Sequence, residues 1–124
     1  MALPPEALPL TGIVVADFSR VLADPLATMT LADLGARVIK IERPGEGDDT
    51  RHWGPPFSPT GSTYFESVNR NKESIELDLT TDADRAVAIA IASNADIVVE
   101  NFKPGGATSL GLGYDELSVL NPGL

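Results

Sequence analysis

The residues best suited to chemistry in this 124-residue chain fall just after short β-branched runs. Glu42 and Arg43 close the run Val38-Ile39-Lys40-Ile41, Asn101, Phe102 and Lys103 follow Asp96-Ile-Val-Val-Glu100, and Val21, Leu22 and Ala23 follow Ile13-Val-Val-Ala-Asp-Phe18. Such runs read as strands buried in a sheet, and open α/β sheets bind ligands at the carboxyl ends of their strands. A guanidinium at that edge is a natural counterion for a phosphate, because its planar fork matches the anion's oxygens. An aromatic ring, an amide and two cations around one crevice have the chemistry to hold an adenine and phosphates. The plainer reading of Glu42 and Arg43 is a solvated pair of strand-end charges. Phe102 fits a core plug as well as a ligand platform.

These positions depend on the elements between them. Thr11-Gly12 introduces a first strand over 13–18, and a loop over 19–24 leads to a helix over 25–34. Asp24 is its candidate N-cap and Pro25 suits its first turn. Leu31 and Leu34 share a face, and Gly35 can take the left-handed conformation that stops a helix. The second strand ends at Pro44-Gly45. Strand, helix, strand at this spacing predicts a right-handed βαβ unit and a parallel sheet. From Pro44 to Asn71 the chain is turn-rich, with Trp53, Phe57, Tyr64 and Phe65 scattered through it; so long an excursion points to function. One helical turn fits 64–68. Ser74 to Leu79 alternates as a half-buried strand, and Thr80 or Thr81 caps a helix to about Ser93, with Asp82 and Asp84 in its first turn. A strand over 96–101, a helical turn over 107–110 and a last helix over 114–120 complete the pattern. The fold class is α/β, a Rossmann-like and mostly parallel sheet with helices on both faces. Residues 1–10, with three prolines, read as a flexible arm ahead of a single unit over 11–124.

Several function classes are excluded. The formal charge of −9 opposes general nucleic-acid binding. The absence of cysteine rules out a disulfide framework and thiol-based zinc sites. No metal site is read: Glu46, Asp48 and Asp49 lack calcium-loop spacing and look like a solvated acidic turn, and the one histidine, His52, reads as a surface residue. Apolar runs are too short for a bilayer and the start lacks a basic leader region, which predicts a cytoplasmic protein with no membrane partner. The loop after the first strand has no glycine to admit a pyrophosphate, which opposes NAD or FAD binding, and no P-loop is present. No Ser-centred elbow or triad can be assembled.

The ordered set of segments is similar to the beginning of family III CoA-transferases, the family of formyl-CoA and carnitine CoA-transferases and the related α-methylacyl-CoA racemases. The segments are Leu10-Thr-Gly-Ile-Val-Val-Ala-Asp-Phe18, 32–44, Gly47-Asp-Asp-Thr-Arg51, 69–79, Ala95-Asp-Ile-Val-Val-Glu-Asn-Phe-Lys-Pro-Gly105, and Leu110-Gly-Leu-Gly-Tyr114 through Leu120-Asn-Pro122. The resemblance implies that the crevice is a coenzyme A site, contacted by Val21, Leu22, Ala23, Arg43, Leu77, Asn101 and Phe102. Lys72 and Lys103 join them on charge and position. The chain departs from the family where a basic residue often follows the Asn-Phe-x-Pro-Gly loop: Ala107, Thr108 and Ser109 stand there.

Family members are much longer, and their catalytic aspartate, which forms an acyl anhydride and then an aspartyl-CoA thioester, lies beyond Leu124. None of Asp17, Asp78 or Asp96 matches it, so no catalytic residue is assigned and the chain alone is expected to be inactive. The resemblance implies acyl-CoA and a carboxylic acid as substrates, no metal, and an interlocked homodimer of which this chain forms part of the large domain. A racemase-type portion, or a non-catalytic remnant that binds CoA or a partner chain, is the alternative.

Overall fold

The structure, a computed structural model, describes residues 8–124. Four parallel strands form the central sheet: β1 (Val14–Asp17), β2 (Arg37–Glu42), β5 (Lys72–Glu76) and β6 (Ile97–Val99), in the order β5-β2-β1-β6. The small strands β3 (Phe57–Ser58) and β4 (Gly61–Ser62) pair antiparallel in the excursion after β2. The helices are α1 (Ala23–Asp33), α2 (Thr63–Asn69), α3 (Asp82–Ser93), α4 (Gly106–Ser109) and α5 (Tyr114–Leu120), with a 3-10 turn at Asp49–His52.

Strand alternation divides the core between two faces. Val15 and Val38 pack with Ala32 and Ala36 at α1, whereas Ala16 and Ile41 pack with Ala88 and Ala92 of α3 and Leu117 of α5. Fully burying a valine or isoleucine contributes about 1.5–3 kcal/mol, so each face is held by its own apolar layer. The alanines of α1 and α3 let the helices approach closely. Toward the carboxyl edge the α1 face turns polar: Asp17, Lys40 and Glu42 are all buried there.

Chain order reverses at β1. From β1 the chain builds outward through β2 to β5, then crosses back through α3 to place β6 on the other side of β1. The loops after β1 and β6 therefore leave the sheet side by side at this switch point, the edge where such sheets bind ligands.

Several boundaries differ from expectation. Helix α1 begins at Ala23 with Leu22 as a cap residue that makes no side-chain bond, and Asp24 lies inside the first turn. The Leu26 N–H already bonds the Leu22 carbonyl at 2.8 Å, and Pro25 costs nothing there because first-turn N–H groups have no helical acceptor. Helix α2 is two turns long, capped by the Ser62 side chain. Strand β5 starts at Lys72 and ends at Glu76, two residues ahead of the expected start. Leu77 extends the pairing by one N–H bond to the Glu42 carbonyl, 2.9 Å. Of the expected arm, residues 1–7 lie outside the described residues; Leu10 is docked, its N–H donating to the Leu34 carbonyl at 2.9 Å and its side chain packing beside Val15 and Ala32.

Candidate functional site

A cavity of about 480 Å³ opens at the carboxyl edge of β1, β2 and β5, inside the size range of small-molecule sites. Phe18, Ile41, Leu77, Leu79, Phe102 and Leu110 give it an apolar wall. Phe18 and Phe102 face each other with ring centroids 6.3 Å apart, tilted by 49°, a spacing typical of aromatic contact. Arg20 and Arg43 stand at the mouth and share one counterion: Asp49 lies 2.5 Å from Arg43 Nη2 and 3.8 Å from Arg20 Nη1. All three side chains are 40–50 % exposed, so these pairs are weak and exchangeable.

Beneath the mouth lies a buried ionic floor. Lys40 Nζ is 3.0 Å from Asp48 Oδ2, with side-chain exposures of 1 % and 0 %, and it donates to the Ser19 carbonyl at 2.8 Å. Asp48 Oδ1 accepts from the Thr50 N–H at 3.0 Å and the Thr50 hydroxyl at 2.8 Å. Burial pushes the Asp48 carboxyl up, but the Thr50 amide and the Lys40 ammonium outweigh it and hold it below the usual aspartate value. Glu42 accepts from Arg51 Nε (2.7 Å), Arg51 Nη2 (2.6 Å), the Ser74 hydroxyl (2.7 Å) and the Asp48 N–H (2.7 Å). Burial raises its pKa as well, and these donors together bring it below the ordinary glutamate value. Arg51 in turn lies 3.9 Å over the Phe65 ring. Among the described residues, no group of three or more acidic or histidine side chains could hold a metal ion, and no helix is long and apolar enough to cross a membrane.

Comparison with known proteins gives this cavity its context. The sequence model of CoA-transferase family III matches residues 10–124. The chain belongs to that family. Succinyl-CoA:glutarate CoA-transferase of Mus musculus is 52 % identical over 114 residues, covering 92 % of this chain and 26 % of the mouse protein. Acetyl-CoA:oxalate CoA-transferase of Acetobacter aceti is 49 % identical over 116 residues, covering 94 % and 30 %. The crystal structure of a CAIB/BAIF family protein from Brucella suis superposes with a TM-score of 0.88 at 46 % identity, over 92 % of this chain and 31 % of that one. The chain thus spans about a quarter to a third of the length of these family III relatives.

Of the nine candidate CoA contacts, Arg43, Leu77 and Phe102 line the cavity of this family III chain. Asn101 and Val21 adjoin it. Asn101 grips the loop after β1 with two bonds, accepting from the Arg20 N–H at 3.0 Å and donating to the Arg20 carbonyl at 2.7 Å. Val21 follows in that loop at a positive φ of 76°. Leu22, Ala23 and Lys103 are exposed and outside the cavity lining. Lys72 needs correction as a cavity residue: its side chain is 2 % exposed, and Nζ is held by Asp17 Oδ2 (3.0 Å), the Pro25 carbonyl (2.9 Å) and Asn69 Oδ1 (2.9 Å). Burial lowers the Lys72 pKa, and the Asp17 carboxylate opposes that. The reading of Glu42 as a solvated charge and of Asp48 as part of a solvated turn is also corrected, since both are buried. Arg20, Phe18 and Leu79 were not singled out by sequence; their position immediately after or at the end of a strand run was the available signal.

Proposed function

We propose that the cavity binds the nucleotide end of coenzyme A, with the adenine against Phe102 and Leu77 and the phosphates at Arg43 and Arg20. The observation that carries this reading is the combination, at the carboxyl edge of the sheet, of an apolar aromatic wall and two arginines whose ion-pair partners, Asp49 for both and Glu46 for Arg43, are all exposed. An incoming phosphate can replace the Asp49 carboxylate without stranding a buried charge, because the deeper carboxylates Glu42 and Asp48 have their own partners. Asn101 fixes the loop that presents Arg20. Val21, Leu22 and Ala23 remain candidate contacts through that same loop, and Lys103 through the loop after β6.

In the longer family III protein the bound CoA would be passed between two carboxylic acids through an aspartyl anhydride and thioester. No step of that relay is assigned to a residue of this chain. The same reading carries the expectations of a cytoplasmic, dimeric enzyme acting on an acyl-CoA and a free acid, with no metal. Titration calorimetry with CoA tests the binding role. Arg43→Ala should weaken binding about tenfold, the effect of losing one exposed charge-assisted contact to phosphate. A folded chain that gives no heat with CoA, or an Arg43→Ala chain that binds as tightly, would overturn the proposal.

A further inference from the structure

We infer that the buried Lys40–Asp48 pair is a positioning device for the loop after β1, holding Val21 in a left-handed conformation so that Arg20 stands at the cavity mouth. The inference rests on the CoA-binding reading and extends it to two residues that need not touch the ligand's phosphates.

The first observation is the backbone. Val21 has a φ of 76°, a region in which a β-branched residue is a genuine outlier. A left-handed conformation disfavours a non-glycine residue about tenfold or more, and such outliers gather where a loop must clamp a ligand. Something outside the loop has to hold it.

The second observation is what holds it. The Val21 N–H faces both oxygens of Asp48, at 3.4 and 3.3 Å, and the Ser19 carbonyl accepts from Lys40 Nζ at 2.8 Å. The turn 19–21 is therefore gripped by a negative side chain at its amide end and a positive one at its carbonyl end. Those two side chains are themselves paired at 3.0 Å and closed off from water. Asn101 holds the residue between them through both backbone groups of Arg20. The hold comes from β2 and the turn that follows it, and from the loop after β6, so the position of Arg20 is set by two separate segments of chain.

The third consideration is energetic. A buried ion pair stabilises a fold little compared with apolar side chains of similar volume. An ion pair whose two members reach the two ends of one strained loop has a directional role that apolar replacements lack.

The test is a cycle in CoA affinity. Lys40→Met with Asp48→Leu removes both charges together and leaves no buried ion unpaired. With the hold removed, the competent loop conformation should fall to about a tenth and the apparent dissociation constant should rise about tenfold. In a Val21→Gly background the left-handed conformation carries no steric penalty, and the same double substitution should then cost less than about threefold. Equal losses in the two backgrounds, or no loss in either, would overturn the positioning role.

Hydrogen exchange in the unsubstituted chain supplies a readout that needs neither variant folding nor ligand. The Val21 amide should exchange as slowly as the amides of β1; exchange at the rate of an open loop would overturn the hold itself. An unsubstituted chain that binds no CoA overturns the CoA reading, and with it the claim that the held loop faces that ligand. The Val21 amide still decides whether the pair holds the loop.

Discussion

Glu42 offers the sharpest quantitative test of the ionic floor. Its side chain is 2 % exposed and receives four donors, two of them from Arg51. In Glu42→Gln one carboxylate oxygen becomes an NH2 group. The less costly orientation turns that group toward Ser74, whose hydroxyl can rotate and accept, but it strands Arg51 Nη2 at the same oxygen position. Losing one partly buried, charge-assisted bond costs about 2 kcal/mol. For a chain of this size that lowers the thermal midpoint at pH 7 by about 8 °C, read by far-ultraviolet circular dichroism. The pH dependence has a definite sign. The folded pKa of Glu42 lies below its unfolded value, so its contribution is complete above about pH 4.3 and is lost as pH falls through the folded value. The gap between the two midpoints should therefore close as pH drops through that range. A midpoint shift under about 2 °C at pH 7, or a gap unchanged near pH 3 where both chains still unfold cooperatively, would refute the reasoning.

Two further outcomes follow from the same geometry. Gly47 has a φ of 68°, and a Cβ there would lie 2.5 Å from Glu42 Oε2 and 2.7 Å from Arg51 Cδ; Gly47→Ala should lower the thermal midpoint by about 10 °C, whereas Gly45→Ala, with φ 75° and open space around it, should show only the smaller cost of a left-handed alanine, about 1 kcal/mol. Asp49→Asn removes the exposed counterion shared by Arg20 and Arg43, so calorimetry at low salt should show CoA binding tightened about two- to threefold.

Much of the fold was legible because its signals are local. The run Val38-Ile39-Lys40-Ile41 marked β2, the pair Thr80-Thr81 marked the start of α3, which Thr81 caps through the Asp84 N–H, and the span of α5 matched from Tyr114 to Leu120. Cavity residues such as Arg43 and Phe102 were legible because strand ends are. The ionic floor was not. Asp48 sits among Gly45, Glu46, Gly47 and Asp49, a composition that reads as solvated turn, and its burial depends on Lys40, a strand residue whose side chain points to the α1 face beneath that turn. Lys72 was read by charge and position, but its register opposite Val38 places it behind the edge, where Asp17 takes up its ammonium. The start of α1 was missed for another reason: proline is tolerated throughout a first turn, so Pro25 did not fix which of its positions it occupies.

The central claim, a CoA site at the carboxyl edge of this sheet, is tested most directly by titrating CoA into isotopically labelled chain and following backbone amide resonances. Shifts should concentrate at Arg20, Arg43, Leu77 and Phe102, with the amides of Leu34 and Ser93 at the far ends of α1 and α3 unmoved. Shifts centred instead on the exposed Trp53 and the Tyr64 ring packed edge-on against it, centroids 5.2 Å apart, or none in a well-dispersed spectrum at millimolar CoA, would contradict it.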